Sequence, residues 1–258
     1  MSEIISNEKD DLLELSLRLG DDCLILGQRL AEWCGHAPIL EEDIALTNIS
    51  LDLLGQAISF YKYACEMEGK GRTEDDLAYF RNSFEFKNSK LVEQPNGDFA
   101  VTIFRQFIFD SYSYFLYDEL KNSADQNISA IAAKSLKEIK YHLRHSSEWV
   151  IRLGDGTEES HKRMIKANNE LWRFSGELFE EDELSKRLAE KGYFPNISAI
   201  YEKWKLYVSD IFNKATLEIP SGDTFMQTGG RNGNHTEHLD YILAVMQILP
   251  RSYPTAKW

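Results

Sequence analysis

The sequence lacks several things that would assign it elsewhere. No stretch reaches the ~18 uncharged apolar residues that a membrane helix needs. The first residues, MSEIISNEKDDLLEL, are acidic and contain no long apolar run, so no secretory signal is expected. Only three cysteines occur, an odd number without C-x-x-C spacing. They are expected to be buried, reduced thiols in a cytoplasmic protein, and nothing nearby supports a thiol nucleophile. Basic residues are outnumbered, 29 Lys and Arg against 42 Asp and Glu, which gives a net charge of −13 and a pI near 5.0. Nucleic acid and anionic membrane both need a basic face, so neither is expected as the main partner. A local basic patch for an anionic small molecule stays possible. Proline is scarce, with six residues placed mostly between periodic segments, and strand-like alternation is almost absent.

Helical periodicity fills the space that these absences leave. The first segment spans about 8–34, with Leu12, Leu15, Leu19, Cys23, Leu26, Leu30 and Trp33 in one apolar row; GHAP (35–38) stops it. The second spans about 41–67, opens on three acids suited to a helix start, and is apolar nearly all round, the pattern of a buried helix. EGKGRTEDD (68–76) reads as a loop in which Thr73 caps a short helix. After PNGDF (95–99) comes a densely aromatic third segment to about Leu120. The fourth spans about 126–153 and ends in GDGT, where Gly is the stop and Thr157 the next cap. A fifth runs to about Phe179, a short one spans 181–191, and a sixth lies between Pro195 and Pro220. TGGRNGN (228–234) precedes a last helix over 235–249, with Asn234 and Glu237 at capping-box spacing. Four long helices in two hairpin-like pairs, followed by shorter ones, predict an all-α bundle in a single domain, 1–258.

Each long helix carries polar residues among apolar neighbours. They are Glu32 on the first, Asn48 and Asp52 on the second, Asp110 within FIFDSYSYF on the third, and Glu138 and His142 on the fourth. A buried carboxylate needs a cation, a proton or a metal, because burying it alone costs several kcal/mol. One acid per helix over four helices is the layout of a ferritin-like carboxylate bundle. A di-iron version needs Glu from two helices and Glu-x-x-His from each of the other two. Here the spacing fails. Glu32 meets Gly35, Glu138 meets Tyr141, and the one literal match, Glu158 with His161, lies in TEESHKR and reads as a surface cap. No histidine occurs in the second segment. Glu138, His142 and His145 therefore read as a buried polar network plus one exposed histidine, with metal binding as the competing reading. For Glu32, Asp52 and Asp110 the expected partners are Arg29, Arg105, Lys62 and nearby tyrosines.

The chain resembles the PaaC-type subunits of phenylacetyl-CoA epoxidase (ring 1,2-epoxidase) complexes. LRLGDDCLILGQRLAEWCGHAP (17–38), ISLDLLGQA (49–57), LVEQPNGDFA (91–100), KEIKYHLRHSSEWVIRLGDGTEES (137–160), NELWRFSGELF (169–179) and TGGRNGNHTEHL (228–239) carry the resemblance. It implies a ferritin-like four-helix bundle with additional C-terminal helices. It also implies a non-catalytic structural subunit with no cofactor and no catalytic residue of its own. The homologous catalytic partner would hold the di-iron site, use dioxygen and electrons from an iron–sulfur/flavin reductase component, and epoxidise the ring of phenylacetyl-CoA, which this subunit would meet indirectly. Glu32, Asp52, Asp110, Glu138 and His142 would then be remnants of a degenerate site. The alternatives are a self-sufficient di-iron oxidase or monooxygenase, with ligands from Glu32, Asp110, Glu138 and His142, and a helical interaction protein unrelated to aromatic degradation.

Two stretches invite partner roles. The aromatic run 104–117 is either a central buried helix or an interface patch. Arg231, His235 and His238 stand beside glycine amides at a helix start. They form either an anion or partner site or only a loop with an N-cap.

Overall fold

The structure of the protein, a computed structural model, describes the backbone of residues 2–256 and the side chains of residues 8–256. Among the described residues all regular structure is helical: ten α-helices and four short 3-10 turns. The helices are α1 (Ser2–Ala31), α2 (Leu40–Glu68), α3 (Glu74–Tyr79), α4 (Lys90–Glu93), α5 (Phe99–Leu120), α6 (Gln126–Gly154), α7 (Glu158–Leu171), α8 (Glu183–Glu190), α9 (Ile197–Lys214) and α10 (Glu237–Ser252). The fold class is the one expected: all-α, of the ferritin-like bundle type, with additional C-terminal helices. The helices cluster as two compact units, Met1–Gln94 with Gly229–Trp258, and Pro95–Thr228.

The first unit is built on the α1–α2 hairpin. Leu15, Leu19, Leu26 and Leu30 from α1 and Leu46, Ile49, Leu53 and Phe60 from α2 are buried, each worth about 1.5–3 kcal/mol of apolar burial. Two glycines let the helices approach closely. A Cβ on Gly20 would lie 2.6 Å from the Tyr61 ring, and one on Gly27 would lie 3.3 Å from Leu54 and from the Ser50 carbonyl. The turn between the helices is held by Asp43, whose carboxylate accepts from the Gly35 and Ala37 amides at 2.8 and 3.3 Å. α2 is not buried all round as its composition predicts, because one apolar face is exposed. The C-terminal segment returns to this unit, where Gln247 Nε2 donates to the carbonyls of Ala78 and Arg81 at 3.1 and 3.0 Å.

In the second unit α5 is central and packs against α6, α7 and α9. Phe104, Phe107, Phe109, Tyr112 and Tyr117 are buried, so the aromatic run is a core helix. Phe107 and Phe104 lie 6.3 and 6.0 Å, centroid to centroid, from Phe212, and Trp204 Nε1 donates to Ser111 Oγ at 2.8 Å. Asp98, Asp125 and Thr157 cap α5, α6 and α7 by accepting from Val101, Ile128 and Ser160 amides. The fifth predicted segment breaks early. α7 ends at Leu171, and 172–174 and 176–179 are 3-10 turns. Among the described helices none is long and apolar enough to cross a membrane. Cys23 is buried and its thiol donates to Gln56 Oε1 at 3.7 Å, but Cys65 is half-buried and Cys34 exposed, so the expectation of three buried thiols holds for one.

Candidate functional site

In the second unit the polar residues of α5 and α6 meet at Asp110. Gln106, one turn earlier on α5, donates from Nε2 to Asp110 Oδ1 at 2.7 Å, and Ser146 on α6 donates from Oγ to Oδ2 at 2.8 Å. His142, fully buried, and His145, half-buried, act on the same carboxylate through space. Arg105, expected as a cation for it, instead donates from Nη2 to Asn96 Oδ1 at 2.7 Å. Burial raises the Asp110 pKa to about 6, against the lowering pull of His142, the Ser146 and Gln106 hydrogen bonds, and His145. The amide oxygen of the same glutamine, Gln106 Oε1, is buried without a donor.

Glu138 lies half-buried on α6. Tyr141, three residues on, is exposed, with its ring stacked 6.2 Å from His145 and the Arg144 guanidinium 5.7 Å from its centroid. The position that a Glu-x-x-His pair would use therefore points outward. Glu158 and His161 form no pair either. Glu158 accepts from Lys162 Nζ at 2.5 Å, and His161 Nδ1 lies 2.6 Å from the Gly154 carbonyl.

In the first unit, Glu32 lies just past the end of α1, exposed, and pairs with Arg29 Nη1 at 2.9 Å. Asp52 is half-buried. Three further acids here, Asp21, Asp22 and Glu93, are buried. Asp21 accepts from Tyr61 OH, from both Arg81 Nη atoms and from the Lys87 amide. Asp22 accepts from the Ser89 amide at 2.7 Å and from Arg231 Nη2 at 2.6 Å. Glu93 accepts from His235 Nδ1 at 3.0 Å, from Asn88 Nδ2 at 3.2 Å and from the Thr236 amide at 2.7 Å. Burial raises the Asp22 pKa, with Arg231 opposing it, and burial with Asp21 nearby keeps Tyr61 protonated. A signal for Asp22 was present, since it stands three residues after Leu19 and four before Leu26, in the middle of an apolar row.

Arg231 and His235 thus face the interior. Arg231 also donates from Nη1 to the Arg18 and Lys87 carbonyls at 3.3 and 2.9 Å, so its guanidinium is engaged within the fold and the anion-site reading gains no support from it. His235 Nε2 lies 3.0 Å from the Phe86 carbonyl, so both ring nitrogens meet acceptors, and the ring satisfies both only as imidazolium. Burial disfavours that charge, but the Glu93 hydrogen bond and charge outweigh it and raise the pKa. His238 is half-buried, its ring 6.3 Å from that of Tyr241. The cap of α10 is Thr236, not Asn234, and no side chain of its own completes it.

Among the described residues no three or more His, Cys, Asp or Glu side chains come together as a group that could hold a metal ion. The donors do not fit a di-iron pair: Glu32 is exposed, the Glu138 motif position is a tyrosine, and Asp110 is satisfied by an amide and a hydroxyl.

Comparison with known proteins adds identity to this geometry. The model of the phenylacetic acid catabolic protein family matches residues 2–258. The chain is 49% identical over 249 residues to the C subunit of 1,2-phenylacetyl-CoA epoxidase from Escherichia coli (strain K12), a match that covers 96% of this chain and all of that protein. With the match running along both units, the chain belongs to the phenylacetic acid catabolic protein family.

Proposed function

We propose that this chain is the non-catalytic structural subunit of a multicomponent di-iron monooxygenase that epoxidises phenylacetyl-CoA in aerobic phenylacetate catabolism. It pairs with and stabilises a homologous catalytic subunit, which carries the di-iron centre and receives electrons from a reductase component. The likeness to one subunit of an epoxidase, over the whole of that protein's length, supports the assignment to such a complex. The observation that carries the non-catalytic reading is the state of Asp110. In a metal-binding bundle this α5 acid would be a ligand, whereas here both its oxygens accept from neutral donors on α5 and α6. The chain's own residues then serve to hold α5 against α6 and keep its buried acid satisfied.

The test is metal and activity analysis of the purified chain, alone and after co-expression with the homologous subunit. The expected result is no stoichiometric iron and no phenylacetyl-CoA epoxidation by the isolated chain, with iron appearing in the pair, assigned to the other subunit, and epoxidation appearing once the reductase component and its electron donor are added. Stoichiometric iron in the isolated chain, lost on Asp110→Ala or His142→Ala, would overturn the reading in favour of a self-sufficient di-iron oxidase.

A further inference from the structure

The composition of α2 predicts a helix buried all round, yet one face is bare. Leu40, Ile44, Leu51 and Ile58 are 71, 53, 60 and 44% exposed. They follow one another at helical spacing, with Ile44, Leu51 and Ile58 seven residues apart, the interval of a seam between helices. Asn48 and Gly55 complete the same face, and both are exposed. Gly55 sits in the helix interior, where glycine is destabilising relative to alanine. Gly20 and Gly27 are explained by close contacts across the hairpin. A Cβ on Gly55 would meet nothing within 4 Å. Among the described residues no atom accounts for that glycine, although it lies between Leu51 and Ile58 in the exposed apolar row.

We propose that this face of α2 seats a helix of the homologous subunit, crossing closest at Gly55. The inference rests on the pairing reading above and names the surface that performs it. Charge selects the occupant. Between Leu40 and Tyr61 the sequence holds four acids, Glu41, Asp43 and Asp52 at or near the surface and Glu42 buried, and no lysine or arginine. A second copy of the chain would bring two such helices together, each on a subunit of net charge −13. A different chain with basic residues flanking its apolar stripe is complementary instead. The absence of a side chain at Gly55 lets the partner's backbone approach, as helix crossings with small residues at the contact do.

The test pairs the purified chain with the purified homologous subunit and measures affinity by calorimetry, with melting of each isolated variant as the fold control. Leu51→Lys and Gly55→Leu are expected to weaken pairing by roughly tenfold or more, as central interface positions do. Both sites are open, so cooperative melting should persist. Val245→Lys, on the exposed apolar face of α10, should pair as wild type. Gly55→Ala should raise the melting midpoint of the isolated chain by roughly 2–4 °C without strengthening the pair. Wild-type affinity in either Leu51→Lys or Gly55→Leu overturns the proposal but leaves the pairing reading intact. Loss of cooperative melting in isolated Gly55→Leu also overturns it, because the need for glycine would then lie inside this chain. Failure of the wild-type chain to pair at all overturns both readings.

Discussion

Asp21 and Asp22 on α1 and Asp110 on α5 are equally buried, but the first two face guanidinium groups and the third faces none. In the first unit three buried acids each face a cationic side chain: Asp21 with Arg81, Asp22 with Arg231, Glu93 with His235. In the second unit Asp110 has an amide, a hydroxyl and two imidazoles, and its pKa climbs to about 6. The difference teaches that a buried carboxylate is not one kind of observation. Paired acids fix the position of distant chain segments, since Arg231 and His235 bring the C-terminal segment onto residues 22 and 93. An acid answered from its own helix and the next fixes no distant segment, and burial makes its charge costly.

The largest effect should come from breaking a matched pair. Arg81→Ala leaves Asp21 buried with only the Tyr61 hydroxyl and the Lys87 amide, and removes two bonds that also tie residues 77 and 85. Denaturant unfolding should show a loss of about 3–5 kcal/mol. A loss below about 1 kcal/mol, the range of exposed pairs, would mean that water reaches the site.

Asp110→Asn should act with the opposite sign. The folded pKa of Asp110 is raised, so the folded protein holds a proton that the unfolded chain releases. Stability tied to this group is therefore full below about pH 4 and declines as pH rises to about 6, by up to about 3 kcal/mol for a shift of roughly two units. Asn cannot ionise, and after a flip of the Gln106 amide its NH2 can donate to Gln106 Oε1, now without a donor. At pH 7 the variant should melt higher than wild type, and the difference should vanish near pH 4. Asp21→Asn at the same pH should melt lower. Equal signs for the two variants would dissolve the contrast between the units.

The bundle was legible because apolar periodicity is local. The rows of α1, α5 and α6 and the caps at Thr73 and Thr157 are written within a few residues. Asp110 and His142 were also legible as polar residues on apolar faces. The partners were not. Arg81 lies 60 residues from Asp21 and Arg231 lies 209 from Asp22, separations that no pattern along the chain encodes. Arg231 and His235 beside a glycine-rich loop suggest a ligand site, and the fold instead turns both inward onto acids. α2 departs from its pattern for a related reason: its all-round apolarity is real, but this chain covers only part of it.

His235 should show a smaller, pH-dependent effect. Its folded pKa is raised, so its contribution is complete below about pH 6.5 and is lost as pH rises through the folded value. His235→Gln should cost about 1.5–3 kcal/mol at pH 6, the range for a hydrogen bond to a charged group, and less at pH 9. A cost that does not change between these pH values would show that the ring is neutral in the folded protein.

The smallest effect separates two look-alike helix starts. Thr157-Glu158 opens α7 in the second unit and Thr236-Glu237 opens α10 in the first, and both carry the same cap residue. Thr157 Oγ1 accepts from the Ser160 amide, and Ser160 Oγ accepts in return from the Thr157 amide, so the box is closed within the helix. Thr236 makes no such bond. Its hydroxyl is buried without a partner, and its own amide is taken by Glu93 Oε1 from outside the helix. Thr157→Ala should therefore cost about 1 kcal/mol, the usual value of a lost cap. Thr236→Val, which keeps the shape and drops the orphaned hydroxyl, should be neutral or slightly stabilising. Thermal melts of the two variants decide it. If Thr236→Val costs as much as Thr157→Ala, the hydroxyl has a partner in solution, and α10 is capped from within the helix and not by Glu93.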